Sequence, residues 1–159
     1  MKLAALFSGG KDSTYAIYLA KKLGHSVDVL LTLHPNSSKS HLLHYPNIKF
    51  TSLQSESMKI PQLIEKTTSD DSQNESKKLN SLVSLAKEKY SIEGIVHGGI
   101  LSKYQKDNFS IVCEQNQLEV ISPLWNKNSE SYMKELLDEK FEYIISTVSS
   151  DGLNDSWLG

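Results

Sequence analysis

The amino-acid sequence predicts an α/β fold built on a mostly parallel, five-stranded sheet with helices on both faces. Short apolar runs alternate with amphipathic helical stretches along the 159 residues, which is the pattern of βαβ units. A glycine pair, Gly9-Gly10, directly follows the first apolar run, as at a turn from a strand into a helix. No internal repeat or heptad is present, so a solenoid or a coiled coil is excluded.

Strands are predicted where short, mainly apolar runs lie between turn residues. The predicted strands are residues 2–7, 27–33, 94–97, 118–121 and 142–148, with 48–53 and 61–65 as further candidates, the last at the sheet edge.

Helices are predicted where apolar residues recur every three or four positions. They cover residues 13–23, 79–90, 104–117 and 131–140, with a short helix at 41–45 after the polar stretch 36–40. The most polar segment, residues 67–76, has two compatible interpretations: a solvated loop that starts a helix, or a mobile lid over a nucleotide.

Composition and charge exclude several classes of protein. Hydrophobic residues make up 38% and charged residues 23% of the chain, as in ordinary globular domains. No apolar run is long enough to cross a membrane and no targeting signal is recognised, so we expect a cytoplasmic protein. Every basic residue is lysine and the net charge is −2, which argues against a broad nucleic-acid footprint.

The single cysteine, Cys113, excludes an internal disulfide and a paired-cysteine metal site. We expect it to be a small buried apolar residue; a reactive thiol is the alternative.

The strongest functional motif is the run Ser8-Gly9-Gly10-Lys11-Asp12-Ser13, placed directly after the first strand. Glycines allow positive φ angles and a close backbone approach to a ligand, and the amides and dipole of the helix start favour an anion. Ser8 and Ser13 add hydroxyl donors and Lys11 a positive charge. Asp12 would repel phosphate without a cation, so we assign it to Mg²⁺. The spacing differs from a Walker A motif, and a tight turn capped by Asp12 or Ser13 is the alternative.

This run resembles the PP-loop of the N-type ATP pyrophosphatases. The resemblance implies a Rossmann-like, adenine nucleotide alpha hydrolase-like fold that uses ATP and Mg²⁺. A substrate atom attacks the α-phosphate, an adenylate forms, and pyrophosphate leaves into the loop, after which a nucleophile displaces AMP. Lys11, Asp12 and Ser13 are the catalytic candidates, because the loop stabilises charge on the leaving pyrophosphate.

Further blocks, in order along nearly the whole chain, resemble the diphthine–ammonia ligase family. They are residues 40–44, Pro46-Asn47, 53–61, 93–100, Ser102, Tyr104-Gln105, Cys113, 122–125 and 152–159. The Tyr-Gln and Pro-Leu-Trp blocks are the specific ones. The resemblance implies that ATP adenylates the carboxylate of diphthine on translation elongation factor 2 and that ammonia then displaces AMP, giving diphthamide.

The resemblance and the strand ends together supply further site candidates. Gly98 and Gly99 follow a strand at its carboxyl end, where we expect close approach to nucleotide or substrate; a strand-ending turn is the alternative. His34 also ends a strand, near the expected adenine position. His44 is a candidate for contact with adenosine or a structural residue. His25, His34, His41 and His97 show no metal-ligand spacing.

Substrate candidates cluster after the glycine pair. They are Ser102, Tyr104, Gln105, Lys106 and Trp125. Tyr104 and Gln105 would hold the carboxylate or the adenylate, unless they are only a first helical turn. Tyr104 or Trp125 would suit the quaternary ammonium of diphthine through a cation–π contact, and Trp125 as plain core is the alternative.

The sequence departs from the family in two places. Family members carry two arginines and an acid after Tyr-Gln, whereas here Lys106 keeps one charge and Asn108 and Ser110 replace the rest. Family chains also continue past the Trp-Leu-Gly block into a region with a Gly-Glu-Gly-Gly-Glu type motif. We therefore expect residues 1–159 to form a single PP-loop ATP-binding domain without that substrate region, with an end that favours a homodimer.

Two other functions remain open. One is a PP-loop enzyme that modifies tRNA, although the single Cys113 and the lack of a basic patch count against it. The other is a non-catalytic adenine-nucleotide-binding module, which would bind nucleotide without releasing pyrophosphate.

Overall fold

The computed structural model describes residues 1–35, 48–69, 71–148 and 151–159. The chain divides into two compact units, Met1–Asn126 and Lys127–Gly159. The predicted helix at 41–45 and the polar stretch 36–40 lie outside the described residues. Within the described ranges, no helix is both long and apolar enough to span a membrane.

The first unit is a parallel sheet connected by helices, which confirms the predicted α/β, Rossmann-like fold class. The strand order is β3-β2-β1-β4-β5, and every neighbouring pair is parallel. In chain order the elements are β1 (Lys2–Leu6), α1 (Lys11–Lys22), β2 (Ser26–His34), a 3₁₀ turn (Ile48–Phe50), α2 (Thr51–Met58), β3 (Gln62–Lys66), α3 (Ser72–Tyr90), β4 (Gly94–Val96), α4 (Lys103–Gln115) and β5 (Glu119–Ile121).

Helices cover both faces of the sheet because successive strand residues point to opposite sides. On one face Leu3 and Ala5 of β1 pack with residues of α1 such as Ile17. On the other face Ala4 of β1 packs with residues of α3 and α4 such as Val83. The sheet therefore has two separate apolar layers, and α1 lies on the opposite face from α3 and α4.

The prediction of a strand at residues 48–53 was wrong. The segment forms the 3₁₀ turn and the start of α2. Phe50 and Leu53 are exposed, whereas Ile48, Thr51 and Ser55 are buried. That spacing of three to four residues is helical, and the strand prediction relied on apolar content alone. The edge strand predicted at 61–65 is confirmed as β3.

The remaining predicted elements of the first unit are confirmed with shifted ends. Helix α1 begins two residues earlier than predicted, and α3 begins at Ser72 rather than at residue 79. Asp71 caps α3, because its carboxylate accepts the backbone N–H of Asn74 at 2.8 Å. The polar segment thus contains a capped helix start, as the first of its two interpretations predicted. These contacts do not test the second interpretation, a lid over a nucleotide.

The second unit contains α5 (Ser129–Asp138) and a 3₁₀ turn (Asp155–Trp157). Helix α5 confirms the helix predicted at 131–140, and Tyr132 and Leu136 form its buried stripe. The strand predicted at 142–148 was wrong, because this segment is neither helix nor strand and none of its residues is buried. An apolar-rich run alone does not make a strand where no neighbouring strand pairs with it.

Candidate functional site

The winding of the sheet reverses between β1 and β4. From β1 the chain continues to β2 and β3 on one side of the sheet, and later to β4 and β5 on the other. In open α/β sheets the loops diverge at such a switch point, which opens a crevice at the carboxyl ends of the strands. The residues that follow β1 and those that follow β4 are the two glycine-containing runs singled out in the sequence.

A cavity of about 430 Å³ lies at this switch point, a volume typical of small-molecule sites. Its lining has two chemically different parts. The polar part includes Ser8, Gly10, Lys11, Asp12, Ser13, Gly98, Gly99, Ser102 and Gln105. The apolar part includes Leu6, Leu31, Leu33, Ile48, Leu79 and Phe109. The cavity therefore offers hydrogen bonds and charge on one side and an apolar surface on the other.

The loop after β1 is held in place by α2. Gly9 has φ of +78°, and a Cβ there would lie 2.4 Å from Oε1 of Gln54. Nε2 of Gln54 donates a hydrogen bond to the carbonyl of Gly9 at 2.9 Å. Gln54 is thus a residue of the site that sequence reasoning did not single out, and its only signal was its place in the block 53–61.

Helix α1 begins directly on the cavity. Gly10 is its N-terminal boundary residue, and the N–H of Thr14 donates to the carbonyl of Gly10 at 3.1 Å. By contrast, side chains cap α3, α4 and α5, namely Asp71, Ser102 and Asn128. The first turn of α1, which is the positive end of the helix dipole, thus faces the cavity. Its boundary residue, Gly10, has no side chain that could cap the backbone N–H groups.

The side chains of this loop form a compact polar cluster. Nζ of Lys11 donates to Oδ1 of Asp12 at 2.6 Å, and the two side chains are 32% and 38% exposed. The hydroxyls of Ser8 and Ser13 lie 3.3 Å apart. Ser13 also donates to the carbonyl of Gly10 at 3.0 Å, so its hydroxyl must rotate before it can donate to a phosphate.

The donor set fits Mg²⁺ brought in with a phosphate ligand. Asp12 supplies the one carboxylate among the described residues that line the cavity. The described residues contain no group of three His, Cys, Asp or Glu side chains that could hold a metal ion alone. Mg²⁺ is commonly bound by one or two carboxylates together with substrate phosphates and water, and Asp12 meets that requirement.

Gly98 makes the close approach expected of it, but to the start of α1. A Cβ on Gly98 would lie 2.5 Å from the backbone carbonyl of Asp12 and 2.7 Å from the backbone nitrogen of Ser13. The two glycine-containing loops are therefore in direct backbone contact. Gly98 must be glycine for the fold itself, independently of any ligand.

His97, directly after β4, is a buried polar residue that lines the cavity and is 2% exposed. Its Nδ1 lies 3.1 Å from the backbone N–H of Gly99, and its Nε2 lies 2.6 Å from the hydroxyl of Ser122. The ring meets Phe109 edge-on, with 4.9 Å between centroids. The sequence shows no metal-ligand spacing at His97, and its place between a buried strand and two glycines was the signal for a structural role.

Burial lowers the pKa of His97 to about 4, with a smaller contribution from the positive charge of Lys106. The free energy of unfolding should therefore fall by about 2 kcal/mol between about pH 7.5 and about pH 5. Below about 6.5 the unfolded chain binds a proton that the folded imidazole does not, so stability is lost as the pH falls. Urea unfolding of the wild type and of His97→Asn at both pH values tests this, since the variant should lose most of this pH dependence.

Two of the five predicted substrate residues line the cavity and three do not, of which Tyr104 lies farthest from the expected role. Ser102 and Gln105 line the cavity, and the hydroxyl of Ser102 caps α4 by accepting the N–H of Gln105 at 3.3 Å. Tyr104 is 43% exposed and lines a separate groove between α3 and α4, together with Ser76 and Asn108. It points away because neighbouring helix positions do not share a face.

Lys106 and Trp125 form a cation–π pair beside the cavity. Nζ of Lys106 lies 4.4 Å from the centroid of the Trp125 ring. The backbone N–H of Asn126 donates at 2.9 Å to the carbonyl of Ile100, and Ile100 lines the cavity. Trp125 is only partly buried, so it is not plain core, and its ring already accommodates a cation.

The histidine and cysteine predictions have different outcomes. His34 ends β2, but Leu31 and Leu33 line the cavity instead, because strand alternation turns His34 to the other face. Burial and Lys66 lower the pKa of His34, and its Nε2 has no hydrogen-bond partner among the described residues. His44 and His41 lie outside the described residues. Cys113 is buried, and burial raises its pKa to about 12, which confirms the apolar interpretation.

Gly10→Ala tests whether Gly10 is required for ligand binding rather than for folding. A Cβ on Gly10 would meet only Oγ of Ser8, at an ordinary 3.6 Å, and its φ of −80° suits alanine. We expect stability within about 0.5 kcal/mol of the wild type and at least about tenfold weaker ATP binding, because the methyl group would occupy the polar side of the cavity, beside the first turn of α1. Thermal unfolding and calorimetric titration with ATP measure the two effects; unchanged affinity would place the phosphates elsewhere.

Fold and site together define a Rossmann-like α/β domain whose glycine loop and helix start face a cavity at the topological switch point. Residues 1–120 match the family described as "Diphthamide synthase N-terminal domain". The chain belongs to this family.

Curated relatives agree with this assignment along the whole chain. They are diphthine–ammonia ligases from Rattus norvegicus (32% identical over 178 residues), Homo sapiens (31% over 177) and Saccharomyces cerevisiae (29% over 195). Each alignment covers 100% of this chain, but 66%, 66% and 28% of the respective relative. The chain thus spans just under two thirds of the rat and human proteins.

A solved structure supports the fold. The crystal structure of a predicted subunit of tRNA methyltransferase from Methanocaldococcus jannaschii superposes with a TM-score of 0.56 and 19% identity. The match covers 96% of this chain and 82% of that chain. At this identity the likeness concerns the arrangement of the elements and carries no functional argument.

Proposed function

We propose that this chain binds ATP in the switch-point cavity and acts as the adenylating part of a diphthine–ammonia ligase. The observation that carries the proposal is that one cavity is lined both by Ser8 and residues 10–13 and by the loop after β4. The phosphates would lie on the polar side, against the first turn of α1. The adenosine would lie on the apolar side, against Leu31, Leu33 and Leu79, with His44 as a further candidate for contact with it; His34 is no longer a candidate, because it faces the other side of the sheet.

The proposed reaction has two steps. A carboxylate oxygen of diphthine attacks the α-phosphorus of ATP, and the bond from that phosphorus to the bridging oxygen of the β-phosphate breaks, releasing pyrophosphate. The nitrogen of ammonia then attacks the acyl carbon, loses a proton, and displaces AMP as the acyl carbon–oxygen bond breaks. Adenylation is needed because a carboxylate is a poor acyl donor, whereas AMP is a good leaving group.

The residues of the loop would stabilise the charge that develops on pyrophosphate. Nζ of Lys11 contacts the carboxylate of Asp12, and both side chains line the cavity. When ATP is bound, Lys11 would therefore move its contact from Asp12 to the phosphates. Asp12 would hold Mg²⁺, which when bound neutralises phosphate charge. Ser8 and Ser13 would orient the phosphates, and Gly9 and Gly10 would keep the backbone close to them.

The substrate would approach along the start of α4. Ser102 and Gln105 line the cavity and are proposed to hold the carboxylate or the adenylate, while Gly98 and Gly99 form the floor beneath it. Lys106 and Trp125 lie beside this wall, and the indole ring would take the trimethylammonium group of diphthine in place of Lys106. The exposed Tyr104 would contact the protein that carries diphthine, rather than the nucleotide.

The partners follow from the family rather than from the site. The relatives are named diphthine–ammonia ligases, so we propose ammonium and diphthine-bearing elongation factor 2 as co-substrates, and the cytoplasm as the compartment where they meet. We also propose that residues 1–159 form a single ATP-binding domain and that the protein forms a homodimer.

The test is an incubation of the chain with ATP, Mg²⁺, ammonium and diphthine-bearing elongation factor 2. We expect pyrophosphate release that requires the factor, and a mass decrease of about one unit as carboxylate becomes amide. Release that requires tRNA instead would favour a tRNA-modifying enzyme. ATP binding without release under either condition would favour the non-catalytic module. Absence of ATP binding would refute the proposal itself.

A further inference from the structure

We propose that His97 is a positioning residue that fixes the β4 wall of the cavity by holding the backbone N–H of Gly99. The β4 wall is defined here as residues 98–100. The inference rests on the proposed function only for the identity of the ligand, ATP; the contact itself is independent of it.

The two ring nitrogens of His97 have different partners, which fixes the tautomer. Gly99 can only donate through its backbone N–H, so Nδ1 must be the unprotonated acceptor. Nε2 then carries the proton and donates it to the hydroxyl of Ser122 at 2.6 Å. A protonated imidazolium would have a hydrogen on both nitrogens and could not accept from Gly99. The arrangement therefore requires a neutral ring.

The ring is held by contacts from several elements. Ser122 follows β5, Phe109 of α4 meets the ring edge-on at 4.9 Å, and the backbone N–H of His97 donates to the carbonyl of Ile121 at 3.1 Å. Lys106 of α4 is the charged group that acts on the ring from a neighbouring element, and its positive charge opposes protonation. Because the ring is 2% exposed, it cannot rotate without disturbing this packing.

The contact that fixes Gly99 also fixes the position of the β4 wall relative to residues 8–13, the proposed phosphate loop. Gly98 is already against the backbone of Asp12 and Ser13, and His97 holds the next residue. The chain from 97 to 99 is thus anchored at both ends of a tight turn. Without the contact at Nδ1, Gly99 and Ile100 could move into the cavity or away from it, and the cavity would lose its defined shape.

Two substitutions separate this positioning role from general packing. In His97→Asn the side-chain oxygen lies where Nδ1 lies and can accept from Gly99, although the contact to Ser122 is lost. In His97→Gln the terminal amide reaches the position of Nε2 and can donate to Ser122, but the Gly99 contact is lost. Both remove ring packing against Phe109, so both should lower the melting temperature.

Calorimetric titration with ATP and amide hydrogen exchange of Gly99 give the decisive comparison. We expect His97→Gln to bind ATP about tenfold more weakly than His97→Asn, the effect of about one hydrogen bond, and its Gly99 amide to exchange faster. Equal affinity and equal exchange in the two variants would overturn the inference and leave His97 a packing residue. If the wild type binds no ATP, the proposed function fails, and the exchange rates still decide the role of His97.

Discussion

Asp12→Ala is expected to abolish pyrophosphate release, with a loss of at least about 10³-fold in turnover. Asp12 is the carboxylate that faces the cavity among its described lining residues, and it lies within 2.6 Å of Nζ of Lys11. Its removal takes away the proposed oxygen ligand for Mg²⁺ and the carboxylate that Nζ of Lys11 contacts. The fold should survive, because the side chain of Asp12 is 38% exposed, and both a helix-dipole interaction and a partly exposed ion pair contribute little to stability.

The measurement is single-turnover pyrophosphate release together with thermal unfolding. Glu130→Ala is the matched control, because Glu130 is the acidic residue in the first turn of α5 and does not line the cavity. It removes the same kind of helix-dipole contribution and should leave release unchanged. Asp12→Asn should be as inactive as Asp12→Ala, since the amide keeps the shape but lacks the charge. Substantial activity in either Asp12 variant would rule out the Mg²⁺ role.

Gly98→Ala is expected to lower the free energy of unfolding by about 3 kcal/mol. The added methyl group would lie 2.5 Å from the backbone of Asp12 and 2.7 Å from that of Ser13, and backbone in the first turn of a helix cannot rotate away as a side chain can. The β4 wall and α1 must therefore separate. Because the same separation displaces the phosphate loop, ATP affinity should fall as well, by about tenfold or more.

Urea unfolding of Gly98→Ala and Gly10→Ala, measured together, shows whether the loss of stability comes from the backbone contact at Gly98. Both substitutions add one methyl group to a glycine of the cavity, but the methyl on Gly10 meets only a hydroxyl at 3.6 Å. We expect a large loss of stability in the first variant and almost none in the second, with weakened ATP binding in both. A Gly98→Ala variant as stable as the wild type would mean that the two loops are not in backbone contact.

Much of the fold followed from local patterns in the sequence. The stripe of α3 has a helical period, the buried strands β1 and β2 were indicated by short apolar runs between turn residues, and the glycine loop after β1 marked the turn into α1. The two wrong strand predictions came where an apolar run had no regular spacing to indicate which side chains are buried. Residues 48–53 have apolar side chains that turned out to be exposed, and residues 142–148 are an apolar-rich run without regular alternation, so burial could not be inferred from composition.

The sequence by itself determined the parallel α/β architecture and supplied the residues of the proposed phosphate loop, because both are encoded in residues adjacent along the chain. Only the tertiary structure decided that Gln54 holds Gly9, that Gly98 packs on the start of α1, and that His97 joins Gly99 to Ser122. The physical reason is that these contacts join segments far apart in sequence, whose meeting depends on the order and twist of the strands. Periodicity specifies which face of an element is buried, but not which distant backbone atom lies against it.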